Sequence, residues 1–200
     1  MKSIVVASNN EHKIRELKEI LRGFGFQFIS KAQAGVGHVE VVEDGETFEE
    51  NSYKKAYEIM KASGEISIAD DSGLVVDCLD GAPGVYSARF SGREGDDKAN
   101  NEKLISLLKD VPFEERSARF VAVVTVVWPD GSFLAARGEV EGHMVTEEKG
   151  SGGFGYDPLF VPVGYDKTFG EFSAEEKNSI SHRGKALRQL RQMMLEKGNT

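Results

Sequence analysis

Ser117 to Gly142 reads SARFVAVVTVVWPDGSFLAARGEVEG. Two β-branched runs flank Pro129-Asp130-Gly131, which predicts a long antiparallel hairpin. Elsewhere the chain alternates strand and helix. SIVVAS (Ser3 to Ser8) reads as a buried strand, and EHKIRELKEILRGFG follows as a helix with Ile14, Leu17, Leu21 and Phe24 at helical spacing before Gly25. FQFIS is a short strand. TFEENSYKKAYEIMKASG is a second helix with Phe48, Ala56, Ile59 and Met60 inward, and EISIADDSGLVVDCLDG reads as strand, turn and strand. GDDKANNEKLISLLKDV is a third helix with an Asp cap and Leu104, Leu107 and Leu108 inward. SAEEKNSISHRGKALRQLRQMMLEKG opens with Ser173 and Glu176 spaced as a capping box and ends in an amphipathic helix packing Leu187, Leu190 and Met194. Alternating elements plus one long hairpin predict an α/β fold with a mixed sheet rather than a purely parallel one. No repeat or long linker interrupts residues 1–200, so one domain, with two lobes, is expected.

Charge limits the ligands. Thirty-three acidic residues against 25 basic ones give a net charge of −8, which argues against general binding to nucleic acid or to an anionic membrane. An anionic ligand then needs a local basic cluster, a metal ion or backbone N–H groups. The lone Cys78 rules out a disulfide framework and cysteine-ligated zinc. Its apolar setting, VVDCLDG, predicts core packing. MKSIVVASNN is too short an apolar run for a signal peptide, and no apolar stretch approaches about 18 residues. A soluble cytoplasmic protein is expected.

GSGGFGYDP (Gly150 to Pro158) matches G-x-G-x-x-G, but a dinucleotide turn needs a buried strand before it and a helix at its end. EGHMVTEEK before it reads as polar, and Pro158 and Pro162 forbid a regular helix after it. The loop can instead set Phe154 and Tyr156 against a planar base, or bury both rings as anchors.

Four other places carry chemistry. SNNEHK, Ser8 to Lys13, ends a strand and opens a helix, so backbone N–H groups, Asn amides and Lys13 can receive a phosphate; equally, Asn9 or Asn10 caps the helix while Lys13 is solvated. In IADDSGL, adjacent Asp70 and Asp71 project to opposite faces of a strand, so one orients while the other works. Carboxylates there suit Mg²⁺, and an Asx turn between two strands is the alternative. Glu43 in VVEDGETF reads as a solvated loop acid and Lys55 as an exposed helical lysine. In EEKNSISHRG, Lys177, His182 and Arg183 gather at the entry to the last helix, where the dipole disfavours cations, so an electron-rich ligand is expected beside them.

Taken in order, SNNEHK, VVEDGETFEEN, IADDSGLVVDCLDGAPGVYSARF, GSGGFGYDPLF and EEKNSISHRGKAL resemble the inosine triphosphate pyrophosphatase family, from Ser8 to Leu187. The one departure is His12, where the family often has Gly before Lys. The resemblance implies an elongated two-lobed fold around a central mixed sheet, a homodimer, and substrate in a cleft between lobes. It implies Mg²⁺-dependent hydrolysis of inosine, deoxyinosine and xanthosine triphosphates to the monophosphate and pyrophosphate. On this reading Ser8, Asn9, Asn10, Glu11, His12 and Lys13 cradle the triphosphate with Lys55. Asp71 is the catalytic acidic residue and with Glu43 organises Mg²⁺ and the attacking water, and Ser72 touches substrate. Phe154 stacks on the purine beside Gly155, Tyr156 and Asp157, while Lys177, His182 and Arg183 line the base and sugar end. Two other readings stand beside it: a pyrophosphatase for modified pyrimidines, against which the GFGYDP and SHR blocks argue, and a sensor that binds without turnover.

Overall fold

The computed structural model describes residues 2–23 and 25–198; Phe24, expected inside the first helix's packing face, lies outside them. Among the described residues the order is β1 (Lys2–Val6), α1 (Glu11–Ile20), β2 (Phe26–Ser30), α2 (Phe48–Ser63), β3 (Ile66–Val76), α3 (Asp97–Leu108), β4 (Ser117–Val127), β5 (Phe133–Met144), β6 (Phe160–Pro162), α4 (Ala174–Ile180) and α5 (His182–Gly198), with short 3-10 turns between them. The strands form a sheet in the order β2-β1-β3-β4-β5-β6. β1 runs parallel to β2 and β3, whereas β5 and β6 are antiparallel, so the sheet is mixed as expected. β4 and β5 are the arms of the hairpin. Its turn is closed by Gly131 N donating to the Trp128 carbonyl at 2.9 Å and Trp128 N donating to that of Ser132 at 2.9 Å. No helix among the described residues is long and apolar enough to cross a membrane.

The chain divides into two compact units. The first comprises Met1–Asp71, Ala122–Gly138 and Arg183–Thr200. Strand alternation distributes its core: Ile4, Val6, Ile66, Ile68, Val124 and Val126 pack with Leu17 and Leu21 of the α1 segment and with Leu187, Leu190 and Met194 of α5. Val5, Ala7, Ala69 and Val127 point the other way, onto Ala56, Ile59 and Met60 of α2. α2 begins with a capping box, Thr47 accepting from Glu50 N while the Glu50 carboxylate accepts from Thr47 N, and ends on Gly64 at φ 71°. The second unit comprises Ser72–Val121 and Glu139–His182. Its core is aromatic: Phe120, Phe160, Phe169 and Phe172 pack with Leu74, Leu104, Leu108 and Met144.

Several local expectations change. IADDSGL is not a turn, because β3 continues unbroken from Ile66 to Val76. Nearly every residue of that run is buried, and sheet pairing satisfies its backbone where a turn would leave groups orphaned. Cys78 is exposed rather than core, since it sits on the 3-10 turn Asp77–Leu79 past the strand's end. Leu107 is 46% exposed, because the inner face of α3 is taken by Asn100, Asn101, Leu104 and Leu108. A strand does precede the glycine loop: β5 reaches Met144, with Val140 and Met144 inward and small Gly138 and Gly142 at the intervening inward positions. Those glycines hid the alternation. The last segment is two helices, with Ser181 extended at φ −65° and ψ 157° between α4 and α5.

Candidate active site

In the first unit, β1 delivers the chain to the turn at Ser8. Asn10 caps α1, its side-chain oxygen accepting from His12 N at 3.0 Å and Lys13 N at 3.1 Å, and Ser8 Oγ accepts from Asn10 N at 3.1 Å. The cap reading therefore holds for Asn10, with Asn9 and Glu11 exposed beside it. Lys13 is not solvated: its Nζ lies 2.8 Å from Asp70 Oδ1 and its side chain is only 17% exposed.

The alternation of β3 separates the two aspartates. Asp70, buried, holds Lys13 and also receives Arg183 Nε at 3.1 Å and Nη2 at 3.4 Å, while Arg183 Nη1 pairs with Glu16. Burial pushes the Asp70 carboxyl up, but the charges of Arg183 and Lys13 outweigh it and hold the group well below the usual carboxylate range. Asp71 meets Lys55 of α2, whose Nζ lies 3.2 Å from Asp71 Oδ1 and 3.0 Å from Glu43 Oε2. Lys55 is buried rather than exposed, and Glu43 is its ion-pair partner rather than a solvated acid. For Asp71, burial outweighs the attraction of Lys55 and Lys13; with the like charges of Glu43 and Asp70 it pushes the carboxyl up to about 6. Burial also opposes Glu43's ionisation, yet Lys55's charge and hydrogen bond bring the net shift downward. Asp71 Oδ2 is buried with no hydrogen-bond partner.

The second unit presents the glycine loop. A Cβ at Gly150 would fall 2.1 Å from the Gly170 carbonyl group, and one at Gly153 would fall 2.0 Å from Asp157 Oδ2. The loop is thus glycine-rich for close packing, and it leads into the 3-10 turn Asp157–Leu159, not into a helix that could take a pyrophosphate. Phe154 is half-buried, and its N–H donates to Asp157 Oδ2 at 2.8 Å. The same oxygen receives Lys177 Nζ at 2.7 Å, and that ammonium stands 4.7 Å from the Phe154 ring centroid. Tyr156 is an anchor, buried with its hydroxyl donating to the Ser87 carbonyl at 2.8 Å, and burial raises its pKa. His182 stacks on Phe120 with ring centroids 4.8 Å apart. Ser72, half-buried, opens this unit.

The structure thus gathers Lys13, Asp70 and Arg183 on one face of β3 and Lys55, Asp71 and Glu43 on the other, and joins Phe154, Asp157 and Lys177. The three basic residues expected as one cluster are divided: Lys177 sits on Asp157, His182 on Phe120, and Arg183 on Asp70 and Glu16. Sequence reasoning missed Glu16, one helical turn from Lys13, and three residues around the loop, Asp97, Asn101 and Glu148. Adjacent Asn100 and Asn101 on the stripe that carries Leu104 and Leu108 were the readable sign of buried polar work on α3. No cluster of three or more metal-binding side chains forms among the described residues. Asp71 and Glu43 nevertheless fit Mg²⁺, which takes hard oxygen donors, commonly one or two carboxylates with substrate phosphates, and Asp71 Oδ2 is an oxygen awaiting such a partner.

A family model, described as Ham1 family, matches residues 4–193, a span that includes every one of these candidate residues. The chain belongs to the Ham1 family. It is 51% identical over 191 residues to the dITP/XTP pyrophosphatase of Desulforamulus reducens, covering 96% of this chain and 94% of that one. Against the dITP/XTP pyrophosphatase of Clostridium perfringens it is 50% identical over 197 residues, covering 96% of each. The structure of the Staphylococcus aureus Ham1 protein superposes with a TM-score of 0.88 at 39% identity, covering 98% of this chain and all of that one. The family resemblance drawn from the five motif blocks is therefore borne out, and so is the α/β architecture.

Proposed function

We propose that this Ham1-family chain hydrolyses non-canonical purine nucleoside triphosphates, inosine, deoxyinosine and xanthosine triphosphates, to the monophosphate and pyrophosphate, cleansing the cytoplasmic nucleotide pool. The observation that carries the reading is Asp71: a buried carboxylate with one oxygen on Lys55 and the other unpartnered, beside a second carboxylate. Relatives about half identical over nearly their whole length are named dITP/XTP pyrophosphatases.

Lys13 and Lys55 neutralise phosphate oxygens, which lets an acidic protein bind a polyanion locally. Asp71 Oδ2 accepts a hydrogen bond from the attacking water and aims it at the α-phosphorus. The water oxygen bonds to the α-phosphorus as the bond to the bridging oxygen breaks, pyrophosphate leaves with that oxygen, and a proton of the water is released to solvent as the monophosphate forms. Mg²⁺, held by Asp71 and Glu43, supplies Lewis-acid charge neutralisation when bound. Ser8 to Lys13 cradle the phosphates and Ser72 touches the substrate. At the other end of the ligand Phe154 stacks on the purine, with Gly155, Tyr156 and Asp157 shaping its wall and Lys177 and His182 alongside. Arg183 and Lys177 are pure donors, so they match a 6-keto oxygen and mismatch the 6-amino group of adenine. One such buried mismatch costs about 1–3 kcal/mol, roughly one to two decades of discrimination. Residues 1–200 act as one pyrophosphatase domain, and the working form is a homodimer, which light scattering on the eluting protein reads directly.

The deciding experiment is a substrate panel with pyrophosphate and orthophosphate detected separately. Mg²⁺-dependent pyrophosphate release from the inosine and xanthosine nucleotides, with ATP and GTP much slower, is the expected result. Orthophosphate as the first product overturns the cleavage position, a preference for modified pyrimidines overturns the substrate class, and binding without turnover favours the sensor.

A further inference from the structure

Both backbone hydrogen-bonding groups of Gly155 are held from α3. Asp97 Oδ2 accepts from Gly155 N at 2.8 Å, and Asn101 Nδ2 donates to the Gly155 carbonyl at 3.2 Å. Asp97 and Asn101 are four residues apart, hence stacked on one helix face. The Asn101 amide also donates to Glu148 Oε1 at 2.8 Å, tying the chain just before the loop to the same residue. Between those ties lie Gly150, Gly152 and Gly153, and Gly155 itself has φ 61°. Such a segment has little intrinsic preference for one conformation and pays a large ordering entropy. Phe154 precedes the clamped residue, so the orientation of Gly155 fixes one side of Phe154 while Asp157, accepting from Phe154 N, fixes the other. Asn101 does this at a cost. It is 4% exposed, and its Oδ1 is buried with no hydrogen-bond partner, so the side chain is placed for its two donors and not for a balanced polar site.

We propose that Asp97 and Asn101 are positioning residues that preorganise the Phe154 loop for the purine, acting through Gly155 and not by touching substrate. The inference rests on the reading that Phe154 stacks on the base. Preorganisation of this kind lowers the ordering cost of binding, so its loss appears in affinity for the base-bearing product and not in affinity for pyrophosphate.

Titration calorimetry of the full-length protein with inosine monophosphate and, separately, with pyrophosphate, both with MgCl₂, tests it. Asp97→Ala and Asn101→Ala are each expected to weaken inosine monophosphate about tenfold, within what one base–aromatic contact is worth, and to leave pyrophosphate within about twofold. Asp97→Asn keeps an acceptor for Gly155 N and restores near-native affinity. Asn101→Ala removes the orphaned acceptor and raises helix propensity but takes the donor from Glu148 and the Gly155 carbonyl, so pyrophosphate binding by the same preparation serves as the control for lost fold. Equal weakening of both ligands means a merely structural role and overturns the proposal. So does unchanged inosine monophosphate binding in these variants while Phe154→Ala weakens it. If Phe154→Ala also leaves inosine monophosphate unaffected, the base-stacking reading itself falls, and the clamp with it.

Discussion

Asp70 and Asp71 are neighbours on β3 with the same side chain and the same near-complete burial, yet their surroundings are opposite. Asp70 faces α1 and α5 and is held by Lys13 and the Arg183 fork, and the guanidinium also pairs with Glu16. Asp71 faces α2, shares Lys55 with Glu43, and keeps one oxygen unpartnered. A buried carboxylate held this way is ionised and immobile, which suits orienting two cations. A carboxylate pushed up to about 6 with an idle oxygen is poised for a proton, a water or a metal. The single-residue offset of a strand, which throws successive side chains to opposite faces, produces both from the dipeptide Asp-Asp.

Substitution by the isosteric amide separates the two roles most sharply. Asp71→Asn should lower kcat for inosine triphosphate by about 10²- to 10⁴-fold, the range expected when a positioned acid–base group is lost, while the thermal midpoint does not fall. Turnover within a few-fold of the unmodified protein would remove Asp71 from the chemistry. Asp70→Asn should show the reverse emphasis. Breaking a buried pair leaves Arg183 and Lys13 with uncompensated charge, for which a loss of about 3–5 kcal/mol in urea unfolding is expected. A loss below about 1 kcal/mol would mean that Asp70 is not the structural member of the pair.

The opposite faces of the two aspartates were legible in the sequence, because strand alternation is a period-2 rule that needs no tertiary information. Their partners were not. Glu16 and Arg183 are far apart in the chain, and nothing in α1 or α5 taken alone announces that they meet. Lys55 and Glu43 were misread for the same reason: a lysine on a helix and an acid near a turn look solvated until α2 is laid on β3. The hairpin, the Ser173–Glu176 capping box and the inner faces of α2 and α5 were readable because their signals are local. The strand character of EGHM and the continuity of β3 through Ser72-Gly73 were not, since glycine contributes no hydrophobic signal to the alternation it occupies. At the start of α1 spacing alone could not choose between an N-cap and a phosphate cradle, and the structure shows Asn10 as the cap.

Stability against pH offers a finer separation, because the two groups carry opposite signs. The folded pKa of Asp70 lies below its unfolded value, so its contribution is full above about pH 4 and is lost as pH falls from there toward the folded value. The folded pKa of Asp71 lies above its unfolded value, so its ionisation costs nothing below about pH 4, and the penalty grows as pH rises to 6 and is complete above that. In EDTA, Asp71→Asn should therefore match the unmodified protein near pH 4 and exceed it by about 1–3 kcal/mol at pH 8. The deficit of Asp70→Asn should instead stay level down to about pH 4 and shrink as pH falls below it. Urea unfolding from about pH 3 to about pH 8 checks both, and curves that run parallel for the two variants would erase the distinction between the faces.

The smallest expected effect concerns Arg183, which holds Asp70 and to which the proposed function also gives a part in substrate choice. Its guanidinium donates to Asp70 through Nε and Nη2 and to Glu16 through Nη1, and as a pure donor it suits an acceptor on a base. If Arg183 also donates to the 6-keto oxygen, Arg183→Ala removes a contact that inosine makes and adenine cannot, and the ratio of kcat/KM for inosine triphosphate over ATP should fall by about tenfold. The ratio is the right quantity because losing Arg183 also strips Asp70 of a partner and lowers the folded fraction. Both substrates are assayed on the same preparation, so that fraction cancels. An unchanged ratio with both rates reduced would place Arg183 wholly on the Asp70 side, holding Lys13 in place through the shared carboxylate, and would leave Lys177 as the donor that distinguishes the bases.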